Sequence, residues 1–104
     1  MIWKNLVKIT QKNGVLKRKI HKRELLNTKD FNVAVVSLEK EEEIPPHPEN
    51  YAVFFYVLQG IGVFTTKEGE YTLKKGSCIY YEKNGLRGIR SKERLVLLGI
   101  QEPH

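Results

Sequence analysis

The sequence lacks most of what would mark a disulfide-built, metal-thiolate or membrane-spanning protein. Cys78 is its only cysteine, which excludes an internal disulfide and any zinc site made from several thiolates. No apolar run approaches the about 20 residues that cross a bilayer as a helix. The opening Met1-Ile2-Trp3-Lys4-Asn5 has no apolar centre of the kind found in signal peptides. These absences predict a soluble, cytoplasmic chain without a membrane partner. Gly14, Gly69 and Gly85 read as turn glycines, and neither a P-loop nor a dinucleotide fingerprint occurs. No helix-turn-helix segment is present, so a regulatory role would need a separate partner chain.

What is present is an ordinary globular balance. The chain has 104 residues, 40% hydrophobic and 29% charged, which fits one domain over residues 1–104 and argues against disorder. The formal net charge is +6. Its densest basic run is Lys17-Arg18-Lys19, continued by His21, Lys22 and Arg23. Such a run attracts phosphate backbones, but it contains no aromatic for base stacking and belongs to no nucleic-acid module. It reads as a solvated basic face, and nucleic acid is not an expected partner. Acid gathers elsewhere, at Glu39, Glu41, Glu42, Glu43 and Glu49, so charge is polarised.

Strand signals dominate. Leu6 to Thr10 and Val15 to Ile20 are β-prone pieces around the turn-like Lys12-Asn13-Gly14. The polar stretch from His21 to Asp30 reads as a connection with room for one helical turn. Phe31 to Leu38 is a rich strand, with Ala34, Val36 and Leu38 on one face and Val33, Val35 and Ser37 on the other. The acidic stretch and Pro45-Pro46 are expected to interrupt the sheet. Tyr51 to Leu58 follows as the most apolar segment, closed by Gln59-Gly60. Ile61 to Thr65 and Glu70 to Leu73 form a hairpin about Lys67-Glu68-Gly69, and Lys75-Gly76 leads into Ser77 to Tyr81. Asn84-Gly85 turns the chain into Leu86 to Arg90, and Arg94 to Ile100 is the last strand. Many short strands with regular turns in so small a chain predict an all-β sandwich or barrel.

Alternation along Tyr51 to Leu58 puts Val53, Phe55 and Val57 on one face and Ala52, Phe54, Tyr56 and Leu58 on the other. Both faces are apolar and need cover. One belongs to the barrel core. The other lies under the N-terminal segment with Trp3 or, the preferred reading, against a second copy in a homodimer.

At this point the residues resemble the cupin superfamily. His47-Pro48-Glu49 followed by Tyr56-Val57-Leu58-Gln59-Gly60 looks like the first cupin motif, G-x5-H-x-H-x3-E-x6-G. Counting back from Gly60 puts the glutamate position on Val53, the second histidine on Glu49 and the first on His47. The second motif, G-x5-P-x-G-x2-H-x3-N, begins at Gly76, with its proline at Glu82, second glycine at Asn84, histidine at Arg87 and asparagine at Ser91. Both register without gaps, over roughly residues 31 to 101. The resemblance implies a cupin-like double-stranded β-helix, a jelly-roll barrel carrying a divalent metal in its mouth. Residues 1–30 would add N-terminal strands.

The ligand positions depart from the family pattern. His47 and Glu49 remain competent donors, Val53 is not a ligand, and Arg87 is a permanent cation where the last histidine should stand. The expected site is therefore a degenerate one with no native metal and no catalytic residue, in which a Glu49–Arg87 ion pair either plugs the mouth or leaves an anion site. For an anion, Arg87 offers a fork of donors to a carboxylate or phosphate, His47 a further donor, and Tyr51 a hydroxyl of matching strand parity. The leading expectation is a non-catalytic small-molecule-binding or sensing module for an anionic metabolite. The alternatives are a metal-dependent isomerase or oxygenase with a transition-metal cofactor held by His47, Glu49 and a third ligand, or a structural module using the apolar outer face. Cys78 is expected to be a buried small hydrophobe, Trp3 a packing anchor, and His21 and His104 exposed. Only one of Tyr80 and Tyr81 can face inward, and alternation leaves that choice open.

Overall fold

A computed structural model describes residues 21–103, and all regular elements among them are strands. In chain order these are β1 (His21–Asn27), β2 (Asn32–Leu38), β3 (Glu43–Pro48), β4 (Val53–Gln59) and β5 (Ile61–Thr66). They are followed by β6 (Gly69–Lys74), β7 (Cys78–Tyr81), β8 (Leu86–Ser91) and β9 (Leu95–Gln101). One sheet has the order β1-β2-β9-β4-β7 and the other β3-β8-β5-β6, with antiparallel neighbours throughout. This is the expected all-β jelly roll. The strands predicted at Leu6 to Thr10 and Val15 to Ile20, like Trp3 and His104, lie outside the described residues.

The central strands of the five-stranded sheet, β2, β9 and β4, are the segments richest in β-branched and large apolar residues. Their register sets Val36 beside Leu97 and Leu97 beside Val57, all pointing to the opposite sheet. Phe64 of β5 and Ile89 of β8 meet them from across the sandwich. Each fully buried side chain of this kind contributes about 1.5–3 kcal/mol relative to exposure.

Two elements differ from the sequence reading, and both sit at sheet edges. His21–Asn27 is a strand rather than a connection with a helical turn. An edge strand satisfies its backbone on one neighbour, so Lys22, Arg23 and Glu24 face water without the apolar alternation that announces a strand. His21, expected to be exposed, is half-buried there opposite Ser37. Glu43–Pro48 is likewise a strand, although three of its six residues are proline. Prolines interrupt a central strand; at an edge beside a bulge they cost little, and β3 is the edge strand next to β8, with its register shifting between Ile44 and His47.

The turns carry backbone demands of their own. Gly60 joins β4 to β5 at φ 89°, and a Cβ there would lie 1.9 Å from the Arg94 carbonyl oxygen. Left-handed backbone also occurs at Glu41 (φ 72°), Gly76 (φ 91°) and Asn84 (φ 65°). In the Asn84-Gly85 turn, Asn84 is the left-handed residue, a role asparagine accepts more readily than most.

Candidate functional site

The mouth is shaped by the β3 bulge. Ile44 pairs with Ile89 and His47 with Arg87, so three steps along β3 match two along β8. The extra residue turns Ile44 and His47 to the same side despite their odd spacing, and both line one cavity. Gly88 permits the close approach, because a Cβ there would meet the Pro46 backbone at 3.0 Å. Glu49 and Tyr51 continue the lining after β3, while Val53 and Phe55 of β4 close the opposite wall. The cavity measures about 180 Å³.

All four residues singled out from the sequence, His47, Glu49, Tyr51 and Arg87, meet at this cavity. The contacts among them differ from expectation. No Glu49–Arg87 ion pair forms; the Glu49 carboxylate instead accepts a 2.8 Å hydrogen bond from His47 Nε2. His47 Nδ1 bonds the Pro45 carbonyl oxygen at 2.7 Å. A neutral imidazole has one N–H, so serving a carbonyl and a carboxylate together calls for the imidazolium. The His47 pKa is accordingly raised above its ordinary 6.5, first by the Pro45 carbonyl and then by Glu49, against desolvation and the Arg87 charge.

Arg87 is 6% exposed and held from several sides. Its Nε donates to Gly85 O at 3.2 Å and its Nη2 to Glu82 O at 2.7 Å. The guanidinium carbon lies 5.3 Å from the Tyr51 ring centroid and 5.4 Å from that of Tyr81, so two aromatic faces offset part of its desolvation. Nη1 is buried with no hydrogen-bond partner. Strand parity shows which face of the sheet this arginine occupies but not the rotamer it adopts, which is why the Glu49 pairing was expected.

Tyr81 is the inward tyrosine, 3% exposed against 60% for Tyr80. Its hydroxyl donates to Thr65 O at 2.9 Å, and burial pushes its pKa up to about 12 against the pull of Arg87. Burial also raises the Tyr51 pKa, helped by Glu49 and opposed by Arg87. With Tyr81 inward, β7 parity sends Cys78 outward, and the thiol is exposed rather than buried as expected. The sequence reading missed Ile44 and Ile89 as lining residues. Treating Pro45-Pro46 as a break hid Ile44, whereas the i, i+2 spacing of Arg87 and Ile89 was a signal that could have found the latter.

This lining does not fit a divalent metal. At the four positions a cupin uses, Val53 has no donor atom, Arg87 is a cation, and both His47 nitrogens are engaged with acceptors. Among the described residues no group of three or more His, Cys, Asp or Glu comes together to hold an ion.

Fold and mouth together define a small antiparallel jelly-roll barrel with a pocket between its two sheets. A family model for the cupin domain matches residues 34–100, and the chain belongs to the cupin family. Comparison with curated proteins finds no match. Among solved structures, KdgF from Halomonas sp. is 17% identical, with TM-score 0.77 over 82% of this chain and 79% of that one. The conserved protein SPY1581 of unknown function from Streptococcus pyogenes is 21% identical, with TM-score 0.74 over 85% and 78% of the two chains. An RmlC-like cupin from Shewanella frigidimarina is 14% identical, with TM-score 0.76 over 86% of each. At such identities the likeness shows the fold alone.

Proposed function

We propose that this cupin is a non-catalytic small-molecule-binding or sensing module for an anionic metabolite, with Arg87 as anchor. The observation that carries the reading is the Arg87 Nη1 nitrogen, buried without a partner on a residue that lines the cavity. An unsatisfied donor on a charged group is costly, and a bound anion would relieve it. With both ring nitrogens engaged, His47 contributes positive charge rather than a free donor, Tyr51 forms a side of the pocket, and Glu49 holds His47 and limits how much negative charge can enter. In a thermal-shift screen of carboxylates and phosphates, a stabilising compound should raise the wild-type midpoint and leave Arg87→Ala unmoved. Equal shifts in a folded variant would remove Arg87 from the site. Near-stoichiometric transition metal in protein purified without added metal or chelator would favour the metal-dependent enzyme instead.

A homodimer through the outer face of the five-stranded sheet is the accompanying proposal. Cross-strand register aligns Tyr80, Phe54 and Ile100 in one row and Cys78, Tyr56 and Leu98 in the next. None of the six carries a formal charge, in a chain of net +6. Two like-charged copies approach most easily through such a patch. Sedimentation at micromolar concentration should give twice the chain mass, and a clean monomer would refute the dimer.

A further inference from the structure

Building on the anion-binding reading, we infer that the mouth takes a monocarboxylate with an apolar body and rejects phosphate, and that Glu49 sets this choice. The first argument is donor count. Arg87 normally presents a two-nitrogen fork to an oxyanion. Here Nε–H and one Nη2 hydrogen are spent on the Gly85 and Glu82 carbonyls, which leaves the other Nη2 hydrogen and both on Nη1. That remaining end-on edge is planar and matches the two coplanar oxygens of a carboxylate.

The second argument is charge. The cavity is lined by two cations, Arg87 and the His47 imidazolium, against one carboxylate, Glu49, leaving one positive charge in excess. That matches a monoanion. Phosphate carries about −1.5 to −2 at neutral pH, so it would meet the Glu49 carboxylate with charge left uncompensated. Because Glu49 is tied to His47 by its 2.8 Å bond, it does not swing clear without giving up that partner.

The third argument is the wall. Ile44, Val53, Phe55 and Ile89 give the ligand's body nothing to hydrogen-bond with. The pocket of about 180 Å³ has room for a short-chain or single-ring acid, and these walls leave the polar body of a sugar phosphate without partners.

Calorimetric titration of the full chain with benzoate, inorganic phosphate and benzyl alcohol, repeated on Glu49→Gln, tests this. Benzoate should bind the wild type about tenfold or more tighter than phosphate, and also tighter than benzyl alcohol. Glu49→Gln should bring phosphate and benzoate to within about threefold of each other. The Glu49 side chain is 38% exposed and its amide is isosteric, so a melting curve serves to confirm that the variant folds. Phosphate binding the wild type as tightly as benzoate would overturn the ligand class and leave the anion reading standing. Benzyl alcohol matching benzoate, or no probe binding up to about 10 mM, would overturn both. An unchanged phosphate-to-benzoate ratio in Glu49→Gln would remove Glu49 as the selecting residue.

Discussion

The two motif segments contain two kinds of position, the turns and the mouth, and they have diverged very differently from the family pattern. The glycine positions of the motifs fall on Glu41, Gly60, Gly76 and Asn84, and all four have positive φ, between 65° and 91°. The ligand positions fall on His47, Glu49, Val53 and Arg87, of which only the first two carry metal-donor atoms, and those two are bonded to each other. Positive φ thus occurs at all four corners although two of them carry no glycine, while the mouth departs from the motif at its side chains. A fold constrains φ at its corners and volume in its core; what the mouth holds is a separate matter.

The sharpest way to break the comparison is at a corner. Gly60→Ala would place a Cβ 1.9 Å from the Arg94 carbonyl oxygen at a left-handed φ. The expected loss is more than about 4 kcal/mol in urea denaturation, enough to prevent folding in a domain of ordinary stability. A loss below about 1 kcal/mol would show that the corner is not a constraint.

A change in the mouth should act more gently and through pH. The His47 pKa is raised in the folded state by the Pro45 carbonyl and Glu49. A raised folded value means that the native state holds the proton more tightly. Its contribution is therefore fully present below the ordinary 6.5 and fades as pH climbs through the folded value. The melting-temperature gap between wild type and His47→Asn should be widest near about pH 5 and narrow toward about pH 8. A gap that is flat or widens with pH would contradict the two-bond imidazolium.

The smallest expected effect returns to the frame. Glu41 occupies a left-handed position at φ 72° on an exposed turn, where a side chain is strained. Glu41→Gly should stabilise by about 0.5–1 kcal/mol, the relief of strain exceeding the entropic cost of glycine. Destabilisation in the same urea assay would mean that Glu41 contributes a contact that outweighs its backbone.

How much of this was legible in the sequence follows from the same physics. Apolar runs such as Val53–Gln59 and Leu95–Gln101 declared themselves, and the spacing from His47 to Gly60 and from Gly76 to Ser91 aligned the motif strands without gaps. Shared parity along His47, Glu49 and Tyr51 brought three lining residues to one cavity despite Pro48. What stayed hidden lay at edges and in rotamers. β1 is held by the β2 ladder rather than by its own pattern, β3 is a strand in spite of its prolines, and Arg87 turned to carbonyls and rings that no spacing predicts.

The prolines of β3 have a consequence beyond the shape of the mouth. Pro45, Pro46 and Pro48 remove three backbone donors from the strand that borders the four-stranded sheet. A border so poor in N–H groups makes a weak template for a passing strand. Among the described residues, the lip of the pocket is therefore a poor starting margin for strand addition and fibril growth.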